Sequence, residues 1–228
     1  MVNHILNWAE VWGLLIPLIV ILLKKENYLQ LAPVKYYVFV AVGIYLVIDI
    51  ISNQRSLKLH LPWHQNGLLY NLQAIIQFIC FSWFFLSLQP SFFQPLKKGF
   101  VAVFILFLPF HFLTFPFTQL SSLLHGLEVG LLLIFCLLYY FEIMIQEQDI
   151  NFEKKPEFWI VTGLSAYIVV SFFILLFYNK ITKDDTLFAI GIWSWHNISF
   201  VMMCLLIAKG FYQSYMNSKK FALIDTVH

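Results

Sequence analysis

The sequence predicts an all-α, polytopic membrane protein whose single domain, residues 1–228, is a bundle of seven transmembrane helices. Of its residues, 61% are hydrophobic and 11% are charged, whereas a soluble domain has about 25% charged residues. Only helices and closed barrels cross a bilayer, and the apolar runs have the length of roughly 20 residues that a spanning helix needs. The predicted helices, numbered 1 to 7, cover about 5–23, 36–52, 67–88, 99–117, 120–144, 158–178 and 187–208.

Prolines mark several of the predicted boundaries. Pro33 and Pro62 come before helices 2 and 3, and Pro156 opens helix 6, where the missing amide proton of proline costs no hydrogen bond. Pro109 lies inside helix 4 and predicts a kink there. Helix 1 is not expected to be a cleaved signal peptide, because it contains Glu10 and lacks a cleavage pattern of small residues.

The lysines and arginines are unequally divided between the two sets of alternate loops. Ten of them fall in segments 24–35, 97–98, 154–155 and 209–220, and four fall in the other loops. Since cytoplasmic loops carry an excess of positive charge, the N-terminus is predicted outside and the C-terminus in the cytoplasm. The tryptophans then expected in an aromatic belt at the outer interface are Trp8, Trp12, Trp63 and Trp193.

Polar residues inside the predicted helices lie mainly in the outer halves of those helices. Ionisable groups in a membrane helix cost roughly 2.5–3.5 kcal/mol on insertion scales, so they normally face a bundle interior or a wet cavity. The inner halves of helices 1, 3, 4 and 7 are nearly all Leu, Ile, Phe and Val. This asymmetry predicts a polar pocket that opens outward. The residues expected to bind a ligand in it are Asp49, Asn71, Gln77, His125, Glu128, Trp193, His196 and Asn197.

Each of these polar residues also has a purely structural interpretation. Asp49, like Glu10, is close enough to the interface to be hydrated. Asn71, Gln77 and Asn197 could be hydrogen-bonded to neighbouring helices. His125 and Glu128 are three residues apart on one helix face and could pair with each other.

A metal site is an alternative use of the histidines. A catalytic zinc needs three protein ligands and an open position for water, and His111, His125 and His196 with Glu128 would supply such a set. No HExxH or GxSxG motif supports hydrolase chemistry. We therefore predict no cofactor, with zinc as the alternative. Retinal is not expected, because Lys209 lies at the end of helix 7 and not near its middle.

Four segments resemble a known family: YNLQAIIQFICFSWFF (70–85), LEVGLLLIFCLLYYFEI (127–143), FWIVTGLSAYIVVSFFILLFYN (158–179) and WHNISFVMMCLLIAKGF (195–211). The family is a largely uncharacterised group of bacterial seven-helix membrane proteins, encoded beside sensor histidine kinases or forming their membrane part. The resemblance implies a sensory accessory protein in the bacterial inner (plasma) membrane. The corresponding positions are Glu128, Phe158, Trp159, Gly163, Tyr167, Asn179, His196 and Asn197.

These observations together predict a signalling protein that binds a small molecule or lipid and relays the event to a partner. The expected partners are membrane lipids and either a histidine kinase or another membrane protein. Nucleic acid is not expected, since the sequence shows no basic stripe with interleaved aromatic residues. The alternatives are a metal-dependent membrane hydrolase that acts on lipid, and a structural subunit whose polar residues only join helices.

Overall fold

The computed structural model describes residues 8–24, 29–52, 66–88, 92–145, 152–184 and 186–225, with side chains from 175–190 and 221–225 left aside. Regular structure within these ranges is entirely helical, which confirms the predicted all-α class. The helices are α1 (Ala9–Leu23), α2 (Ala32–Ser52), α3 (Gly67–Ser87), α4 (Gln94–Thr114), α5 (Ser122–Ile145), α6 (Pro156–Asp184) and α7 (Thr186–Asp225), with short 3₁₀ turns at Leu29–Leu31 and Phe152–Lys154.

The helices have the length and composition of a multi-pass membrane protein. Six helical segments in the described part of the chain are long and apolar enough to cross a bilayer. The described part of α1 is also apolar but has 15 residues, which is shorter than the roughly 20 residues of a usual span.

The starts of two predicted helices were placed too late. α2 begins at Ala32, so Pro33 lies in its first turn and does not precede it. α4 begins at Gln94, with Pro95 in its first turn, and ends at Thr114, before the predicted limit at residue 117. Proline is tolerated in a first turn because the amides there have no partner within the helix, so it marks a helix start and not the end of a loop.

The last two helices are longer than predicted. α6 continues to Asp184, beyond the expected end at residue 178. α7 has 40 residues and continues to Asp225, well beyond residue 208. The stretch from Lys209 to Asp225 contains no proline, and most of its residues are compatible with a helix, so nothing local ends α7 where its apolar run ends.

Six helices form a closed ring in the order α1, α2, α3, α5, α6, α7, in which each helix packs against its two neighbours. α4 packs outside this ring, against α3 and α5. It is the least buried of the candidate spans, with side chains such as Leu106, Phe110 and Leu113 largely exposed. The interior of the bundle is therefore built by the six ring helices.

The core of the ring is rich in phenylalanine. Phe78 of α3 stacks on Phe104 of α4, with ring centroids 3.8 Å apart, and lies near Phe135 of α5. Phe200 of α7 contacts Tyr45 of α2 and Tyr167 of α6 edge to face. All six phenylalanine and tyrosine side chains at these positions are at most 5% exposed, so aromatic packing fills the centre of the bundle.

Close packing at two glycines joins α6 to α7. A Cβ atom added at Gly163 would lie 2.8 Å from Leu206 Cβ and 3.1 Å from the Met203 carbonyl oxygen. One added at Gly210 would lie 2.8 Å from the Pro156 carbonyl oxygen. Small residues let membrane helices approach closely where no hydrophobic force between helices exists, so these positions need glycine.

Lys24 and Lys209 lie at the end of the bundle that the charge count placed in the cytoplasm, whereas Lys180 and Lys183, counted for the other side, lie near the far end of α6. Lys24 at the end of α1 lies over the ring of Tyr215 in α7, 5.0 Å from its centroid. Lys209 of α7 lies over Trp159 in the first turns of α6, at 5.5 Å. The neighbouring helix ends therefore form one basic face, although Arg55 and Lys58, counted for the opposite face, lie outside the described residues.

Lys97 does not lie in a loop, contrary to its place in the charge count. It is in the first turn of α4 and is fully buried, and its Nζ donates a hydrogen bond to Glu142 Oε2 of α5 at 3.0 Å. This buried ion pair ties the outer helix α4 to the ring.

Candidate functional site

A partly enclosed cavity of about 130 Å³ lies inside the ring. A single water needs about 10–15 Å³ by the same kind of measure, so the space holds several waters or a small molecule. Every ring helix contributes at least one side chain to its wall, and α4 contributes none. The lining residues are Glu10, Tyr45, Tyr70, Gln73, Ala74, Gln77, Leu120, His125, Glu128, Tyr167, Trp193 and His196.

Five of the eight predicted ligand-binding residues line this cavity, namely Gln77, His125, Glu128, Trp193 and His196. The other three, Asp49, Asn71 and Asn197, are buried but are not part of its wall. Side chains that are far apart in the sequence, such as Gln77 of α3 and His196 of α7, thus meet around one space.

His196 occupies the wall where α6, α7 and α1 meet. Its Nδ1 is hydrogen-bonded to the Ser171 hydroxyl at 3.1 Å, and its ring stacks on Trp193 with centroids 4.9 Å apart. Its Nε2 lies 3.9 Å from Glu10 Oε1, which is longer than a hydrogen bond. The imidazole is therefore held in place on one side while a gap separates it from the carboxylate on the other.

His125 and Glu128 line the cavity from the first two turns of α5. His125 Nδ1 is hydrogen-bonded to the Ser121 carbonyl oxygen at 2.9 Å. Glu128 is 2% exposed, and its Oε1 has no hydrogen-bond partner in the described part of the chain. No ion pair joins the two side chains, so the interpretation that they simply pair with each other is wrong. Their shared helix face points both of them into the cavity instead.

The glutamines of α3 form the wall nearest the aromatic core. The Tyr37 hydroxyl donates a hydrogen bond to Gln77 Oε1 at 3.0 Å, which fixes that side chain. Gln73, one turn earlier and 3% exposed, makes no hydrogen bond of good geometry with either amide atom in the described residues. α3 continues from here into Phe78 and Phe81, both fully buried, so the aromatic core directly follows the glutamines along this helix.

Asn71 is not a residue of the cavity wall, but it holds a segment that is. Its Nδ2 donates to the carbonyl oxygens of Phe117 and Gln119, at 2.9 and 2.7 Å. Its Oδ1 accepts from the Ser121 amide at 3.1 Å. These bonds hold the connection between α4 and α5, which places Leu120 on the cavity wall. The hydrogen-bonding interpretation of Asn71 is therefore the one that the structure supports, with a loop and not a helix as the partner.

His111 is not part of the cavity. It lies in the last turn of α4, outside the ring, where its Nε2 is hydrogen-bonded to the Ser121 hydroxyl at 2.7 Å and its ring stacks on Phe107 and Phe115. The set of His111, His125, His196 and Glu128 is thus not assembled around one point. Among the described residues, no three His, Cys, Asp or Glu side chains are grouped closely enough to hold a metal ion.

The sequence did not identify several wall residues. Glu10 is close enough to the predicted interface to be hydrated, but in the structure it is 7% exposed and lines the cavity. Tyr45, Tyr70 and Tyr167 were missed because tyrosine is common in membrane helices. One signal was available for Tyr70, since it lies three and seven residues before Gln73 and Gln77, on the same face of α3.

The tryptophans divide between cavity and exterior. Trp193 lines the cavity and stacks on His196, so it is more than a residue of the interfacial belt. Trp195, two residues later, is 66% exposed on the outer face of α7. Trp63 lies outside the described residues.

The wall offers two carboxylates, two imidazoles, two amides and four large aromatic rings, a set suited to the recognition of a small polar molecule. Comparisons of the chain with protein-family models, with curated proteins and with solved structures find no match. The resemblance to the kinase-associated family therefore stays a prediction.

Proposed function

We propose that this chain is a membrane sensor, which binds a small molecule in the ring cavity and relays occupancy along α1 and α7 to the opposite end of the bundle. The observation that carries the proposal is the continuity of α7. The same helix supplies Trp193 and His196 to the cavity and extends without interruption to Asp225.

The length of α7 takes it beyond the membrane. Its 40 residues correspond to about 60 Å at 1.5 Å per residue, twice the hydrocarbon thickness of about 30 Å. At its far end it contacts two other elements. Tyr215 lies under Lys24 of α1, and Asn217 Nδ2 donates to the Lys154 carbonyl oxygen at 3.0 Å, just before α6. A displacement of α7 would therefore change these contacts, at a surface that a partner can reach.

The gap between Glu10 and His196 is where occupancy would act on these helices. Glu10 belongs to α1 and His196 to α7, and the same two helices meet again at Lys24 and Tyr215. A molecule that bridges the gap would favour one spacing of the two helices over another. Such a difference in affinity between two arrangements is what allows a ligand to shift an equilibrium.

The charge distribution orients this proposal. The basic face formed by Lys24, Lys209 and their neighbours would lie in the cytoplasm, and the cavity would open outward. The location would be a bacterial inner membrane, and the partner a histidine kinase or another membrane protein that meets the extension of α7. The lipid of that membrane would surround the outer helix α4 and the ring.

A tethered occupant tests the relay without knowledge of the natural ligand. Ala74, 4% exposed, lines the cavity, whereas Ile79, five residues along the same helix, is 51% exposed on the outside. Each is replaced by cysteine in a chain whose Cys80, Cys136 and Cys204 are changed to alanine. Both proteins are placed in nanodiscs and labelled with a small methanethiosulfonate reagent.

Labelling at Ala74→Cys is expected to change amide hydrogen exchange over residues 209–220, because the label fills the cavity that α7 lines. The same label at Ile79→Cys should leave exchange in that segment unchanged. Complete labelling of Ala74→Cys, shown by intact mass, without a change in exchange over 209–220 would refute the relay.

A further inference from the structure

We infer that the ligand of the ring cavity is a small organic cation, such as a quaternary ammonium or a protonated amine. This inference rests on the proposed binding role of the cavity and specifies its chemistry. It comes from three properties of the wall: its two acidic side chains, its aromatic surface and an acceptor atom left without a partner.

The charges of the wall favour a cation. Glu10 and Glu128 enter it from α1 and α5, and no lysine or arginine is among its lining residues. Both carboxylates are more than nine-tenths buried. A carboxylate is costly in such a place unless an opposite charge or hydrogen bonds compensate it. A bound cation would supply that charge, whereas an anion would add to the repulsion.

One carboxylate oxygen of Glu128 has no such compensation in the part of the chain that the structure describes. Its Oε1 is buried and has no hydrogen-bond partner among the described residues. Gln73, on the facing helix α3, also leaves its amide oxygen without a hydrogen bond of good geometry. Buried acceptors are nearly always satisfied in folded proteins. Two such acceptors on residues that line one cavity therefore favour a ligand that donates hydrogen bonds or carries a positive charge.

The aromatic residues select the kind of cation. Tyr45, Tyr70, Tyr167 and Trp193 come from four different ring helices, so their rings surround the space and do not lie on one side of it. The faces of such rings attract cations, and cages of this kind bind quaternary ammonium groups. The methyl and methylene groups of an organic cation also remove apolar ring surface from water.

The two histidines of the wall do not repel such a cation, and they can orient it. His196 Nδ1 is engaged by Ser171, and His125 Nδ1 is engaged by the Ser121 carbonyl oxygen. Each imidazole is thereby fixed at the wall, where its neutral form adds no positive charge. The volume of about 130 Å³ limits the ligand to a small head group.

The test compares a cation with its neutral isostere. Purified full-length protein in nanodiscs is titrated by calorimetry with tetramethylammonium, with choline and with 3,3-dimethylbutan-1-ol, which replaces the nitrogen of choline by carbon. We expect saturable binding of the two cations and binding of the alcohol that is roughly tenfold or more weaker, as the loss of desolvated cation–π and charge interactions implies.

Two charge-neutralising variants locate the effect. Glu128→Gln keeps the shape of the side chain and should weaken choline binding roughly tenfold or more, while binding of the alcohol changes little. Glu153→Gln removes the same charge from an exposed position before α6 and should leave the choline affinity unchanged. Thermal unfolding of both variants checks that the bundle remains folded, and Tyr167→Leu, which removes one aromatic wall, should weaken choline binding independently.

Equal affinity for choline and its carbon isostere, or no saturable binding of either cation at millimolar concentration, would overturn the inference. These outcomes are separate from failure of the relay. A tethered neutral label that alters exchange over residues 209–220 supports the relay even if no cation binds. Choline that binds in a Glu128-dependent way without altering exchange there supports the cation site and refutes the relay.

Discussion

Individual polar residues of the same class have opposite roles in this bundle. Asn71 and Glu128 are both at most 2% exposed, and the sequence assigned both to ligand binding. Asn71 uses its amide oxygen and nitrogen on the backbone of the connection between α4 and α5. Glu128 leaves an oxygen without a partner at the cavity. The polarity of a side chain and its depth can be predicted from a sequence. Whether a backbone group lies within hydrogen-bond distance of that side chain depends on the path of a loop.

Substitution of Asn71 should destabilise the protein without removing a wall residue of the cavity. Asn71→Ala leaves the buried Ser121 amide without its acceptor and frees two carbonyl oxygens, at a cost of about 1–3 kcal/mol. Thermal unfolding of detergent-purified protein measures this loss. Asn217→Ala removes two hydrogen bonds, with Gln213 and with the Lys154 carbonyl oxygen, from a partly exposed site and is the control, with a smaller effect. Equal losses of stability in the two variants would contradict a particular contribution of the Asn71 contacts to stability.

At the level of elements, the apolar runs predicted which segments are helical but not where the longest of them end. A run of roughly 20 apolar residues identifies a span because of the thickness of the bilayer. That criterion says nothing about polar residues that continue the helix into water, as in α7 from Lys209 to Asp225. The role of glycine was also not predictable. Gly163 and Gly99 both lie inside helices, yet only Gly163 has close neighbours from another helix.

These two glycines give a matched pair of variants. Gly163→Ala places a Cβ 2.8 Å from Leu206 Cβ, so α6 and α7 must move apart, which should cost about 1–3 kcal/mol. Gly99→Ala has nothing within 4 Å of its new Cβ and should be neutral or stabilise α4 by up to about 1 kcal/mol. The free energy of unfolding in mixed micelles measures both. A Gly163→Ala protein as stable as the Gly99→Ala protein would contradict the close packing of α6 and α7.

For the whole molecule, the closed order of six helices creates the cavity, and that order is not contained in hydropathy. The outer-half polarity of the helices predicted a pocket, and five of the eight residues named for it line the cavity. The alternative metal set also included His111, because all seven helices were treated as equivalent. α4 lies outside the ring, so a histidine at the correct depth on that helix cannot reach the others. Neighbour relations depend on the packing of whole helix faces, which a single sequence does not display.

The orientation of the bundle is testable at the same scale. The split of ten basic residues to four predicts an outer N-terminus and a cytoplasmic C-terminus. In bacterial cells, a fluorescent protein fused after His228 should fluoresce, and alkaline phosphatase at the same place should be inactive. The two reporters fused before Met1 should give the reverse pattern. An active phosphatase at the C-terminus would invert the proposed sides of the cavity and the basic face.

The Lys97–Glu142 pair has a consequence for how α4 stays attached. α4 exposes much of its surface and packs on the ring through apolar side chains such as Phe104, contacts that lipid tails would replace almost as well. Lipid cannot replace the ion pair. If α4 moved away from the ring, Lys97 and Glu142 would lose each other as partners, and the loss costs more for this largely buried pair than for an exposed one. The ion pair thus favours the position of α4 against the ring, while the exposed side of that helix can exchange one lipid neighbour for another.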